Sequence, residues 1–327
     1  MKVLIKKWVS YSSYPFVISF CFLLHIVLIY FDLHLTLATW IAVLFGLVSI
    51  ITLERFVPFR AEWIPKNKDW IVDLSYMVLV QILLVKFLTF AVSIALLNIF
   101  QSNDFTIKNL WPKEWPIGIQ AILMVLMADF FRYWLHRLSH EWMPLWRLHA
   151  VHHSPHKLYS MNVGRFHPLE KSIQFIFDAL PFIILGITEN VLALYFVFYS
   201  INGFFQHCNI KVYLGPLNYV ISGPELHRWH HSMIIKESNK NFGNNLIVWD
   251  LLFGTWHLPK AKKVEQLGLI NRNYPLGLIE QLKSPFIKGL DQDKSDWFIK
   301  TIFSYYLPPH KDDVDQKKTL YPICWIN

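Results

Sequence analysis

Residues 173–205 read IQFIFDALPFIILGITENVLALYFVFYSINGFF, a run whose only charges are Asp178 and Glu189. One membrane crossing takes about 20 mostly apolar residues. This run is therefore long for one span and short for two. Thr188-Glu189-Asn190 divides it into Ile173–Ile187 and Val191–Phe205. Its flanks decide the reading. HAVHH, residues 149–153, precedes it, and His207 and then HRWHH, residues 227–231, follow it. If these histidines serve one site, the chain must return to the face that it left. The run is then a helical hairpin that dips into the membrane or barely spans it, with Glu189 and Asn190 at its tip.

Four other apolar runs complete the bundle. Pro15–Phe31 and Leu35–Leu53 are separated only by Asp32-Leu33-His34 and should pair as a hairpin. Trp70 to about Phe100 exceeds one span, so it is tilted, broken or partly interfacial. Ile117 to about Leu135 is the fourth. Lys2, Lys6 and Lys7 precede the first span. Arg55, Arg60, Lys66 and Lys68 follow the second, and Arg137 follows the fourth. Basic residues stay on the cytoplasmic side, and each crossing agrees with that count. No small-residue cleavage site follows the first run, which makes it a retained span and not a signal peptide. The expected fold is all-α: a polytopic, multi-pass membrane helical bundle with a cytosolic helical cap carrying the histidines. Residues 1–114 form an N-terminal transmembrane region and 115–260 the histidine-bearing region. Residues 261–327 form a cytosolic C-terminal region of short helices.

Composition supports the membrane class. Apolar residues make up 54% and charged residues 17%, against about 25% charged in soluble chains. The formal charge of +8 is carried by Lys and Arg between and after the apolar runs. That distribution suits an anionic membrane face and not a nucleic acid. Cys21, Cys208 and Cys324 form no CxxC pair, so no disulfide framework is expected.

Eleven of the 15 histidines lie between His136 and His231. His136 and His140 stand at i, i+4, on one helix face. His149, His152 and His153 stand at i, i+3, i+4, and His227, His230 and His231 repeat that spacing. His207 stands alone. A tetrahedral zinc takes four ligands, so nine histidines exceed one such site. They suit two metals with four or five nitrogens each, which points to redox or oxygen chemistry. His167, in Arg165-Phe166-His167-Pro168, is a ligand or lies behind one. His25, His34, His156, His257 and His310 read as core or interface residues. The chain has no HExxH, GxSxG, P-loop or GxGxxG pattern, which removes support for zinc proteases, serine hydrolases and nucleotide-binding enzymes.

Larger motifs surround these histidines. Asp129-x-x-Arg132-Tyr133-Trp134-x-His136-Arg137-x-x-His140 is followed by Trp146-x-x-His149-x-x-His152-His153-Ser154. Next come Arg165-x-His167-Pro168, Gln206-His207-x-Asn209 and Pro224-x-x-His227-Arg228-x-His230-His231. Asn241-x-Gly243-Asn244 and Trp249-Asp250-x-x-Phe253-Gly254-Thr255 close the series. In order, spacing and flanks, residues 115–260 resemble the fatty acid hydroxylase / sterol desaturase superfamily. The resemblance implies an integral membrane enzyme with two iron ions in a di-iron centre on the cytoplasmic side. It implies O2 as co-substrate, and hydroxylation or desaturation of a lipid drawn from the bilayer, such as a fatty acyl chain or sterol. It makes His136, His140, His149, His152, His153, His207, His227, His230 and His231 the ligands. Electrons are expected from a separate cytochrome b5-like or ferredoxin-like protein. Lys260, Lys262 and Lys263 are its docking face or a solvated basic loop.

The chemistry agrees with that implication. An unactivated C–H bond offers no acidic proton to side-chain bases, whereas a metal centre with O2 can oxidise it. Asp129, seven residues before His136, is placed to accept a ring N–H, with Asn162, Asn209 and Asp250 as further candidates for such support. Trp134, Trp142, Trp146 and Trp229 suit an interfacial aromatic belt. The competing class is a divalent-metal-binding membrane transporter. Such proteins favour Asp or Glu near the bilayer midplane, and carboxylates are sparse in these clusters.

Overall fold

The computed structural model describes residues 2–103, 110–260 and 262–290. The described residues are helical, and their only sheet-like pairings are isolated bridges such as Ile221 with Leu246. Helix α1 (Lys2–Tyr30) and α2 (Leu35–Phe56) form the expected hairpin. The turn has a physical cause. Leu33 N–H donates to Leu28 C=O at 3.0 Å and Asp32 N–H to Ile29 C=O at 2.9 Å. This paired closure needs a left-handed residue, and Asp32 supplies it at φ 58°. His34 then caps α2 by accepting from the Thr36 N–H. The helix that ends at Leu185 closes with the same motif at Gly186, φ 73°, where a residue with a Cβ would be strained.

The over-long third run is one helical rod with a defect. Helix α3 (Asn67–Tyr76) passes through a π-helical stretch, Met77–Leu84, into α4 (Val85–Asn103). The widened turns lie against the loop at Gly164. Gln81 donates to the Gly164 carbonyl at 3.0 Å, and a Cβ on Gly164 would meet Met77 Cε at 2.9 Å. Helix α5 spans Ile117–Glu141, six residues beyond the predicted end. At 1.5 Å per residue it is about 37 Å long, more than the roughly 30 Å of bilayer hydrocarbon. Its last turns can thus carry the first histidines clear of the apolar layer.

Helix α6 is Met143–His153. The predicted dipping run is resolved into α7 (Pro168–Asp178), α8 (Leu180–Leu185) and α9 (Glu189–His207), with Glu189 and Asn190 exposed at the turn. Short helices follow: α10 (Pro224–His230), α11 (Ile235–Ser238), α12 (Val248–Leu252) and α13 (Leu278–Lys283). Lys6–Tyr30, Leu35–Phe56, Asn67–Ala95 and Ile117–Glu141 are long and apolar enough to cross a membrane. Large apolar side chains such as Phe16, Val48, Phe87 and Ile122 are exposed along them, as lipid-facing surfaces require. His310, Cys324 and residues 291–327 lie outside the described residues.

Helix α9 is the shared wall. One side packs Val197, Ile201, Phe204 and Phe205 against Tyr14, Cys21, Val43 and Ile50 of α1 and α2. Another packs Val191 and Tyr195 against Met124, Val125 and Ala128 of α5. At the crossing with α2, a Cβ on Gly46 would lie 3.0 Å from Ile201 Cγ1 and 3.1 Å from Cys21 Sγ. Overpacking of this kind costs about 1–3 kcal/mol. Gly46→Leu is therefore expected to lower the thermal midpoint in detergent. An unchanged midpoint would show that the three helices do not meet there.

Candidate metal centre

Four elements bring the histidines together. The last two turns of α5 carry His136 and His140. Trp142 then adopts an extended conformation, and Pro144 in the first turn of α6 restarts the helix in a new direction. Helix α6 folds back with His149, His152 and His153. Helix α9 ends on His207. Helix α10 starts at Pro224 and carries His227 and His230, with His231 at its end.

These nine residues divide into two groups, each with its ligand atoms within 4.8 Å of one another. His136, His140, His149, His153 and His230 form the first, and His152, His207, His227 and His231 the second. Each triplet is split. HAVHH gives its i, i+4 pair, His149 and His153, to the first group and His152 to the second. HRWHH does the reverse, giving His227 and His231 to the second and His230 to the first. Adjacent helical residues point about 100° apart, so neighbours such as His152 and His153 face different centres.

The ring nitrogens meet closely. His136 Nε2 and His149 Nε2 are 3.1 Å apart, as are the Nε2 atoms of His153 and His230 and those of His227 and His231. Behind the rings stand oxygen acceptors. His136 Nδ1 is 2.7 Å from the Phe242 carbonyl, His149 Nδ1 2.7 Å from Glu170 Oε1, and His140 Nδ1 3.2 Å from Asn239 Oδ1. His230 Nδ1 is 2.9 Å from the Lys240 carbonyl, and His207 Nδ1 is 2.7 Å from Asn162 Oδ1.

This arrangement tests whether a metal fits. A carbonyl or carboxylate oxygen only accepts, so in the neutral form that ligates metal His136 and His149 each hold their proton on Nδ1. Their two Nε2 lone pairs then face each other at 3.1 Å. No hydrogen bond can form between two lone pairs, whereas a cation bound by both removes the repulsion. His207 Nε2 is also buried with no hydrogen-bond partner among the described residues. Four of the rings are held neutral by their environment. Burial first, then neighbouring imidazoles, hold His152, His153, His227 and His231 well below the usual histidine range. Neutral imidazole is the form that ligates metal. The residues fit two histidine-rich metal sites.

Several expected supports act elsewhere. Asp129 does not touch a ring. Its carboxylate accepts from Asn245 N–H, Asn245 Nδ2 and Leu246 N–H at 2.8, 2.8 and 2.5 Å, because the 241–246 loop folds over α5 and offers these donors. Asp250 accepts from the Phe242 and Gly243 N–H groups at 2.8 and 2.7 Å, so it acts on His136 through the loop that presents the Phe242 carbonyl. Burial pushes its carboxyl up to about 6. Asn209 pairs with the backbone of Arg60. His167 stands outside both groups: Nδ1 caps α7 at Leu169, and Nε2 meets the Leu282 carbonyl. Asn162 alone of these candidates contacts a clustered ring directly. Trp134 and Trp142 are half-exposed, as a belt requires, but Trp146 and Trp229 are buried. Trp146 packs on the rings of His140 and His153, and Trp229 on His257.

Two carboxylates escaped the sequence reading. Glu170, three residues after His167, orients His149. Glu54, buried at the end of α2, accepts from the Ser160 and Asn209 N–H groups at 2.7 and 2.9 Å and so anchors the chain on both sides of His207 and Asn162. The charge of Glu170, two residues past the Arg165-x-His167-Pro168 motif, was a usable signal. Nothing near Glu54 in sequence marks it.

A cavity of about 770 Å³ opens beside the rings. It is lined mainly by apolar side chains of α2, the π segment, α8 and α9, including Val43, Leu47, Ile82 and Phe196. Its inner end reaches His136, His149, His152, His207 and His227. Loss of an outer partner typically costs a metal site about 10–100-fold in affinity. Glu170→Gln is expected to weaken metal retention on dialysis against chelator by that order, and equal retention would remove Glu170 from the site. The histidine shifts also give a pH dependence. Because the folded rings resist protonation, the unfolded chain gains protons first as pH falls below about 6.5. The thermal midpoint of metal-stripped protein is expected to hold above that pH and to fall below it.

Comparison with known proteins agrees with this geometry. The fatty acid hydroxylase family model matches residues 121–255, which contain all nine histidines. An ornithine lipid hydroxylase of Rhizobium tropici is 34% identical over 261 residues, covering 78% of this chain and 77% of that protein. Human alkylglycerol monooxygenase is 30% identical over 188 residues, covering 56% of this chain and 39% of that protein. A very-long-chain aldehyde decarbonylase of rice is 27% identical over 158 residues, covering 44% of this chain and 24% of that protein. No solved structure matches the chain. On the strength of the first of these relatives and the matched histidine region, the chain belongs to the fatty acid hydroxylase family of the fatty acid hydroxylase / sterol desaturase superfamily.

Proposed function

We propose that the chain is a membrane oxygenase in which the nine histidines hold two iron ions and hydroxylate a C–H bond of a lipid. The observation that carries this reading is the division of nine imidazoles into groups of five and four beside a mainly apolar cavity. Bound iron would supply the activation of O2, with electrons from a separate cytochrome b5-like or ferredoxin-like donor. The names of the relatives favour lipid oxidation, and none of them is a transporter. The basic residues at the ends of the spans favour a cytoplasmic position for the histidines and the short helices around them.

The chain's own groups have definite tasks. His136, His140, His149, His153 and His230 hold one ion, and His152, His207, His227 and His231 the other. Glu170, Asn162, Asn239 and the carbonyls of Phe242 and Lys240 fix five rings by holding the Nδ1 proton. Phe166 stacks on His152 with ring centroids 4.2 Å apart and an 11° interplanar angle, which keeps that ring from turning. The apolar walls of α2 and α9 align a lipid chain and exclude water. Water exclusion matters because it protects an oxidising centre from side reactions.

Protein expressed in iron-replete medium is expected to carry two irons per chain, measured by metal analysis. Incubation of lipids with reductant under 18O2 is expected to place one labelled oxygen in the product. His152→Ala and His230→Ala, one from each group, are each expected to abolish product. Full turnover in either variant would mean that its group is not part of the centre.

A further inference from the structure

The cavity is mainly apolar, and its two buried cations lie at one place beside the first histidine group. Arg132 and Lys171 both line it, although each residue is about 95% buried. Burying a cation is costly unless it is closely paired, and neither of these is. Arg132 Nε makes no hydrogen bond, and its nearest carboxylate oxygen, Asp178 Oδ2, is 3.7 Å away. Arg132 Nη2 reaches Asn244 Oδ1 only at 3.5 Å. Lys171 Nζ has the Tyr199 hydroxyl at 3.3 Å and Gln174 Oε1 at 3.5 Å. Glu170, the other carboxylate on this stretch of the lining, meets His149 and Gln174 through Oε1, while its Oε2 is buried with no partner among the described residues. Tyr195 Oη and Asn244 Nδ2 line the same cavity and are buried with no partner among the described residues. Two cations and two carboxylates thus line this place, only Arg132 and Asp178 approach each other, and two further donors are unused.

We propose that Arg132, Lys171, Tyr195 and Asn244 form a docking point for an anionic oxygen group, carboxylate or phosphate, on the lipid substrate. The ligand's being a lipid rests on the oxygenase reading above; the anion preference rests on these donors alone. Hydrogen bonds from charged donors to an anion are about twice as strong as neutral ones, and an anion here would satisfy groups that the protein leaves unsatisfied. Position supports the assignment. Arg132 precedes His136 by one helical turn, about 6 Å along α5. Lys171 adjoins Glu170, which holds His149. Lys171, Gln174 and Asp178 stand at i, i+3 and i+7 on one face of α7. The polar group is therefore held beside the metal group, while the apolar remainder of the cavity between α2 and α9 takes the chain.

The test is a binding titration on iron-loaded protein in dodecyl maltoside, read by tryptophan fluorescence. The probes are oleate, dioleoyl phosphatidic acid, neutral oleyl alcohol and inorganic phosphate. Wild type is expected to bind the two anionic lipids about tenfold tighter than oleyl alcohol, in line with a charge-assisted hydrogen bond. Lys171→Gln and Arg132→Gln should each remove most of that preference and leave oleyl alcohol binding near the wild-type value. Lys171→Gln lies off the α5 motif, and both variants are compared at matched metal content and melting temperature. Equal binding of oleate and oleyl alcohol by wild type would overturn the docking point, as would a preference that survives both substitutions. Displacement of oleate by millimolar inorganic phosphate would overturn its assignment to a lipid head and leave a free-anion site. Because the titration needs no turnover, an anion preference without 18O-labelled product would sink the oxygenase reading and not the docking point.

Discussion

Two imidazole nitrogens, His136 Nε2 and His149 Nε2, face each other at 3.1 Å while both rings give their protons to oxygen acceptors behind them. That contact is unfavourable unless a cation lies between the lone pairs, and much of the molecule is arranged to maintain it. The acceptors come from unrelated parts of the chain: Glu170 from α7, Asn162 from the loop before it, Asn239 and two backbone carbonyls from the segment after α10. Each fixes a tautomer as well as a ring orientation. The carboxylates Asp129 and Asp250 act one step further out. They gather the N–H groups of residues 242–246, and so hold in place the carbonyl on which His136 depends.

The membrane bundle serves the same arrangement. Helix α9 packs on α1 and α2 with one face and on α5 with another, and it ends at His207. A histidine at the end of a wall shared by two cores cannot shift without disturbing both. Glu54 reinforces this by tying the end of α2 to the backbone at Ser160 and Asn209. The π-helical stretch in the third rod places Met77, Gln81 and Ile82 along the cavity and meets the close approach at Gly164. Irregular helix is thus spent where the cavity requires it. The interior is apolar along much of its length, and its buried cations lie near the first histidine group.

Much of the fold was legible in the sequence because hydropathy and turn chemistry are local. The hairpin at Asp32-Leu33-His34, the exposed tip at Glu189 and Asn190, and the helical spacing of the histidines all follow from residues a few positions apart. The lengths of elements were less legible. Helix α5 runs on to Glu141 because its last turns pack against α6 and the 241–246 loop, which apolar run length does not record. Burial of Trp146 and Trp229 was misjudged for the same reason, since an indole at a motif edge looks alike whether it meets lipid or a histidine ring.

By itself the sequence determined that nine histidines cluster, that they suit two metals, and that, if they serve one site, the run between the triplets must return to its starting face. Those conclusions need only counting, helical periodicity and the parity of crossings. Only the tertiary structure decided how the nine divide, with HAVHH and HRWHH each giving an i, i+4 pair to one group and the remaining ring to the other. It also decided which oxygen stands behind each of five rings, and that Arg132 and Lys171 are buried in the cavity wall without a close carboxylate partner. The physical reason is that a helix fixes the directions of its side chains relative to one another. Which of them meet depends on how α5, α6, α9 and α10 cross, and no single segment encodes those crossings.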